Sequence, residues 1–442
     1  MTSLEQLGEY VSEGVRGSVS EPLRDAVKLH VIDTITAWVA TAATQEAEAL
    51  RNFQSAARQY SADPTIDLII NCALTRLSEV DDIHLAAMIT PGAVVIPAAL
   101  TIAATLLPNP TALSEAIVAG YDAMVRLGLA LDGPTILYRG IWPSLIAAPL
   151  GVAAAAARLF DLSAEQAANA LALALTLAAP GVGHHNASTG SRWFAIGSAA
   201  RNGLLATQAA RAGFTSDLNL LEGSFFHAVF GIIPRVGALT DDLGAVAKLT
   251  EASFKPWCAA RQTMAAAQAL RELLDGGVAA ADITAIDVCV PPPFLKMVDH
   301  GIVGGRVARL TSQPYQIALA ALVPELAFDV AQAREVSTDI LRFMNKVTVR
   351  ADETLIENFP REWHARVRAH TQQAAHERTV THVPGDPARP FDARAVSAKS
   401  RRLVGSIAEQ IVEHGEAVLD GTTTPGQLLD QIDQWCARTR NS

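Results

Sequence analysis

The chain has 442 residues, more than one ordinary core accommodates, so two domains are expected. Half of the residues are hydrophobic but only 5% are aromatic, and much of the apolar content is alanine, which favours a largely helical protein with close helix contacts. A formal net charge of -10 argues against a nucleic-acid partner, whose phosphates need a basic surface, but leaves room for a small anion in a local basic pocket.

The four cysteines, Cys72, Cys258, Cys289 and Cys436, lack metal-ligand spacing and imply no disulfide framework, which fits a reducing compartment such as the cytoplasm. The first residues, MTSLEQLGEYVSEG, lack the basic and apolar regions of a signal peptide. Residues 20–42 predict an amphipathic helix, with Pro22 in its first turn and Leu23, Val27, Val31, Thr34 and Trp38 on one face. The region up to about Leu77 is less regular, with a short apolar helix over 66–74. The stretch EVDDIHLAAMITPGAVVIPAAL follows. Its Asp81, Asp82 and His84 precede a Pro91-Gly92 turn and an apolar helix over 91–107, which places them at a helix terminus on the edge of a core, half solvated.

A further helix spans 111–131 and ends at Asp132-Gly133-Pro134. Ser163 and Gln166 form a capping box before ALALALTLAA, which is apolar almost all round and therefore buried. A glycine-rich loop carrying His184 and His185 leads into a helix over about 195–212. The apolar runs at 91–107 and 147–159 are broken by proline or glycine and lack aromatic anchors, so they read as buried helices rather than membrane spans.

Near residue 282 the period changes. ITAIDVCVPPP, KVTVRAD, HARVRAHT and ERTVTHV read as strands, SQPYQIALAALV as a helix and PGDPARPFD as a loop. Helices resume at Ala393, the last beginning at Thr424-Pro425. The expected architecture is mainly α: an all-helical domain over 1–253 and 393–442, interrupted by a smaller α+β domain over 254–392.

Several stretches, in order, resemble the MmgE/PrpD family: VIDTITAWVA, DDIH with TPGAVVIPAAL, YRGIWPS, GVAAAAARLFDLSAEQAANALALA, GSAARNGLLATQAARAGF, LLEGSFFHAVFG and KPWCAARQTMAAAQAL. The family includes 2-methylcitrate dehydratase, cis-aconitate decarboxylase and iminodisuccinate epimerase. The resemblance implies a large helical domain, a small α+β domain like chorismate mutase in topology, a homodimer, no metal or organic cofactor, and a cleft between the domains. Thr90 stands where family lyases carry the histidine of HPG, and Trp142 stands where they carry that of a His-Pro pair. Arg192 replaces a lysine, and Ala195 and Met264 replace further histidines.

Asp82, His84, Lys255 and Tyr315 are the residues expected to act in catalysis. Neighbouring carboxylates raise one another's pKa, so Asp81 and Asp82 suit a general base or a partner that orients His84. Histidine is the side chain suited to proton transfer near neutrality, which makes His84 the expected acid or base. Arg192, Arg261, Trp142, His184, His185 and Met264 are expected to line the substrate, with Arg261 as a bidentate fork and Lys255 as a point charge for carboxylates. A paired-histidine metal site lacks a third ligand at suitable spacing. Each residue also has an ordinary reading: a solvated helix end, loop histidines, surface basic groups or a core tyrosine. The expected activity is proton transfer next to a carboxylate of a small di- or tricarboxylate, of the epimerase type. The alternatives are a carboxylate lyase and a family member that only binds ligand.

Overall fold

A computed structural model describes residues 1–60, 63–179, 189–303 and 305–441. The protein is mainly helical with one small sheet. The chain divides into two compact units. The larger comprises 1–183, 189–253 and 392–442, and the smaller includes 254–391.

In the larger unit Pro143–Leu159 packs against both Pro110–Ala130 and Ser191–Arg211, Gly92–Leu106 packs on the first two of these, and Ser191–Arg211 packs on Thr65–Leu77 and Ala164–Thr176. Every residue of Pro143–Leu159 is buried, because its alanines and Gly151 let neighbours approach on all sides. The Ser163–Gln166 capping box is present. The C-terminal helices Ala393–Val404 and Ala408–Asp420 pack against Glu21–Ala40. A helix over Gln45–Tyr60 lies where the sequence looks irregular. It is mostly polar and buries only Ala47 and Leu50, so its apolar stripe is narrow.

In the smaller unit β1 (Ala285–Val290) pairs in parallel with β2 (Val347–Ala351) and antiparallel with β3 (Ala365–His370), which pairs antiparallel with β4 (Ala375–Val380). Ile286, Val288 and Val290 of β1 share a buried face with Val349, Val367 and Ala369 of its neighbours. The helix Arg261–Asp275 packs against β3 and β4, which fixes the position of its first residue, Arg261. No helix among the described residues is long and apolar enough to cross a membrane.

Candidate active site

The segment 79–91 is a buried loop, not a half-solvated helix end. Asp81, Asp82 and His84 are 0%, 1% and 4% exposed. Glu79 and Met88 take left-handed backbone angles that turn the chain at each end. Paired hydrogen bonds join Ile83 to Ser253 (2.9 and 2.8 Å) and His84 to Ile89 (2.7 and 3.4 Å). These backbone bonds allow a polar loop to be buried.

Asp82 is the anchor of this loop. Its Oδ2 lies 2.8 Å from His30 Nδ1 and accepts from the Tyr121 hydroxyl at 2.7 Å, while Oδ1 accepts from the Gly92 N–H at 2.8 Å. Burial alone lifts this carboxyl. The His30, Tyr121 and Gly92 contacts outweigh it and hold the group below the usual carboxylate range. The adjacent pair therefore does not raise Asp82 toward neutrality, because these partners dominate. Gly92 is required at close quarters: a Cβ there would lie 2.7 Å from both Asp82 Oδ1 and the Tyr121 hydroxyl. Asp81 instead pairs with Arg76 (3.2 Å), as does Glu79 (3.2 Å).

Asp82 is bonded to His30, and His84 is oriented by another group. Ala87 N–H donates to His84 Nδ1 at 3.2 Å, so the neutral ring carries its proton on Nε2, which faces Glu251 Oε2 at 3.3 Å. Lys248 Nζ reaches the same carboxylate at 3.0 Å. The His84 bond, with help from Lys248, lowers Glu251 to about 2 against the opposing effect of partial burial. Glu251 is thus ionised at any working pH.

Arg192 and Trp142 meet in a cluster that also includes Arg76 and Trp193. The Arg192 guanidinium carbon lies 5.4 Å from the Trp142 ring centroid and 4.6 Å from that of Trp193; the corresponding distances for Arg76 are 5.7 and 5.4 Å. The indole N–H groups of Trp142 and Trp193 are buried without hydrogen-bond partners among the described residues. Thr90, whose N–H donates to Ser144 beside Trp142, also keeps a buried hydroxyl without a partner among the described residues. An unpaired buried donor costs about 1–3 kcal/mol, a cost that an anion accepting these groups removes. The cluster can therefore receive a carboxylate.

In the smaller unit Lys255 and Arg261 are both buried, at 2% and 1% exposure, and do not form a surface pair. Arg261 Nη2 donates to both oxygens of Asp386, at 2.9 and 2.7 Å, so part of its fork is already used. Met264, on the same helix, is fully buried. Tyr315 donates to Gln332 Oε1 at 3.1 Å, and burial raises its phenol. His184 and His185 lie outside the described residues.

Sequence reasoning does not find His30, Tyr121, Arg76, Trp193 or Glu251. The first four lie on helices, at positions where core packing is the natural reading. Glu251 is detectable only as an acid a few residues before the KPWCAAR stretch that begins at Lys255.

No curated protein matches the chain. The model of the MmgE/PrpD N-terminal domain matches residues 5–232, and that of the MmgE/PrpD C-terminal domain matches 257–421. Helical layout, buried polar loop and both family matches lead to one conclusion: this chain belongs to the MmgE/PrpD family, whose members are dehydratases, other lyases and epimerases.

Proposed function

We propose that the protein transfers protons next to a carboxylate of a small di- or tricarboxylate, without a cofactor, as an epimerase of the iminodisuccinate type. The observation that carries this reading is the Arg192 guanidinium set against two indoles whose N–H groups have no partner among the described residues, while Arg76 beside it is already engaged by Asp81 and Glu79. A carboxylate held there has its neighbouring C–H acidified, because the fixed positive charge stabilises the enolate that forms. His84 carries the proton by cycling between its neutral form and an imidazolium, whose charge Glu251 complements. Asp82 acts as a positioning residue, holding the loop through His30, Tyr121 and Gly92. By resemblance to the family, Lys255 or Tyr315 is read as the second proton carrier and Arg261 as a carboxylate holder. The assembly is read as a cytoplasmic homodimer by its resemblance to the family.

Epimerisation is favoured over the lyase reading because elimination needs an acid to protonate the leaving hydroxide. Thr90, Trp142 and Met264 occupy positions where family lyases carry histidines, and none of the three protonates a leaving group at neutral pH. Arg192 stays charged and is a poor proton donor.

The test is incubation of the protein with a panel of dicarboxylates in D2O, followed by proton NMR. Deuterium incorporation with inversion supports epimerisation, and an alkene or a lost carboxylate supports a lyase. No exchange across the panel points to a family member that only binds ligand. His84→Ala is expected to reduce exchange by about 100-fold or more. Glu251→Gln keeps an acceptor for the ring but loses its charge, and is expected to lower kcat about tenfold with little change in KM. Wild-type exchange in His84→Ala removes His84 from the mechanism.

A further inference from the structure

The loop Val383-Pro384-Gly385-Asp386 holds Arg261 in a way that a simple structural ion pair does not require. Asp386 and Arg261 are each 1% exposed, and both Asp386 oxygens accept from one nitrogen, Nη2. Arg261 Nε and Nη1 are buried and have no hydrogen-bond partner among the described residues. A guanidinium carries five N–H donors, and a purely structural pair in a core leaves few of them unused. The guanidinium carbon lies 5.6 Å from the Trp363 ring centroid, which supports the cation without accepting those N–H bonds.

The loop itself is fixed on several sides. Phe254 N–H donates to Gly385 O at 2.9 Å, Gly385 N–H to Arg389 O at 2.8 Å, and Val383 N–H to Asp386 Oδ2 at 2.8 Å. Arg389 reaches Glu272 at 3.3 Å, tying the loop to the Arg261–Asp275 helix. Gly385 has a φ of +97°, and a Cβ there would lie 2.2 Å from Phe254 O, so only glycine permits this approach. Asp386 is thus a rigid counter-charge presented to one side of Arg261.

We infer that Asp386 is a positioning and specificity-determining residue that makes the remaining Arg261 N–H groups a receptor for a single carboxylate group of a substrate and disfavours compact groups with two charges on one centre, such as sulfate or hydrogen phosphate. Asp386 offsets much of the Arg261 charge, so the remaining N–H groups offer hydrogen bonds with little net field, and a dianionic group, whose desolvation cost rises with the square of its charge, is not compensated as a carboxylate is. This deepens the reading of the substrate as a small carboxylate and rests on it only for the ligand class.

Binding of succinate and of sulfate to the full-length chain, measured by titration calorimetry at pH 8 and constant ionic strength, tests the inference. In the wild type, succinate is expected to bind at least about tenfold more tightly than sulfate. Arg261→Gln is expected to weaken succinate about tenfold. Asp386→Asn is expected to bring sulfate to within about threefold of succinate, a change in selectivity that loss of structure does not produce. Equal affinities in the wild type, no saturable binding of either anion, or succinate binding unaffected by Arg261→Gln overturns it. The wild-type comparison decides the matter even if Asp386→Asn does not fold. Intact selective binding without exchange in D2O refutes the proton-transfer reading and leaves this one standing.

Discussion

Asp82→Ala is expected to destabilise the protein by about 3–5 kcal/mol, because it strips a buried charge from three polar partners at once. His30, the Tyr121 hydroxyl and the Gly92 N–H are all buried, and alanine supplies no acceptor for them. The effect is read as a shift in the urea midpoint with an unchanged slope. Acid dependence gives a second measurement. Asp82 has its folded pKa depressed, so its contribution is fully present above the unfolded value of about 3.9 and is lost as pH falls through the folded value. Asp33 has the opposite sign. Burial raises its carboxyl despite Lys399, so its proton is favoured in the folded state and stability falls as pH rises from about 4 toward that raised value. Removing Asp82 is therefore expected to flatten the loss of stability below pH 4. A cost under about 1 kcal/mol would show that Asp82 is not the anchor of the loop.

The helices are legible because their signals are local. Pro22 and the Ser163–Gln166 box mark the same helix starts in sequence and structure. The strands are legible from β-branched alternation, although the fourth begins at Ala375, earlier than ERTVTHV suggests. The candidate site is legible only where residues lie close together in the chain. Asp82 and His84 stand out as a pair, but their partners come from residues 30, 121 and 251, and no local pattern connects those positions. The burial of 79–91 is also hidden, since a charged, proline-containing stretch reads as surface unless the backbone bonds to Ser253 and Ile89 are known. Arg192 and Trp142 stand out separately in the sequence, while Arg76 and Trp193, which complete their cluster, look like ordinary helical residues.

The same loop is held from the other side by a residue far along the chain. Lys399, on the Ala393–Val404 helix, pairs with Asp33 at 2.6 Å and donates to Val80 O at 2.8 Å, with both side chains nearly inaccessible. Lys399→Met keeps most of the volume but removes the cation, leaving a buried carboxylate and an unpaired carbonyl. The expected cost is about 3–5 kcal/mol at pH 7. Loss of the Lys399 charge removes an influence that lowers the Asp33 carboxyl, so the folded variant favours the protonated acid more strongly. Relative to the wild type, its deficit is therefore expected to shrink as pH falls toward about 4, where the carboxyl takes up a proton in both states. Lys399→Met combined with Asp33→Leu removes both charges and is expected to recover stability to within about 1–2 kcal/mol of the wild type, since a buried pair is often replaceable by apolar residues. Urea unfolding of the single and double variants at pH 5 and 7 measures all three effects. If the single variant is neutral, or if the double variant is no better, the Lys399–Asp33 pair does not hold the segment through Val80. A recovered double variant that still loses isotope exchange would instead assign the Val80 contact to positioning Asp82 and His84, apart from its part in stability.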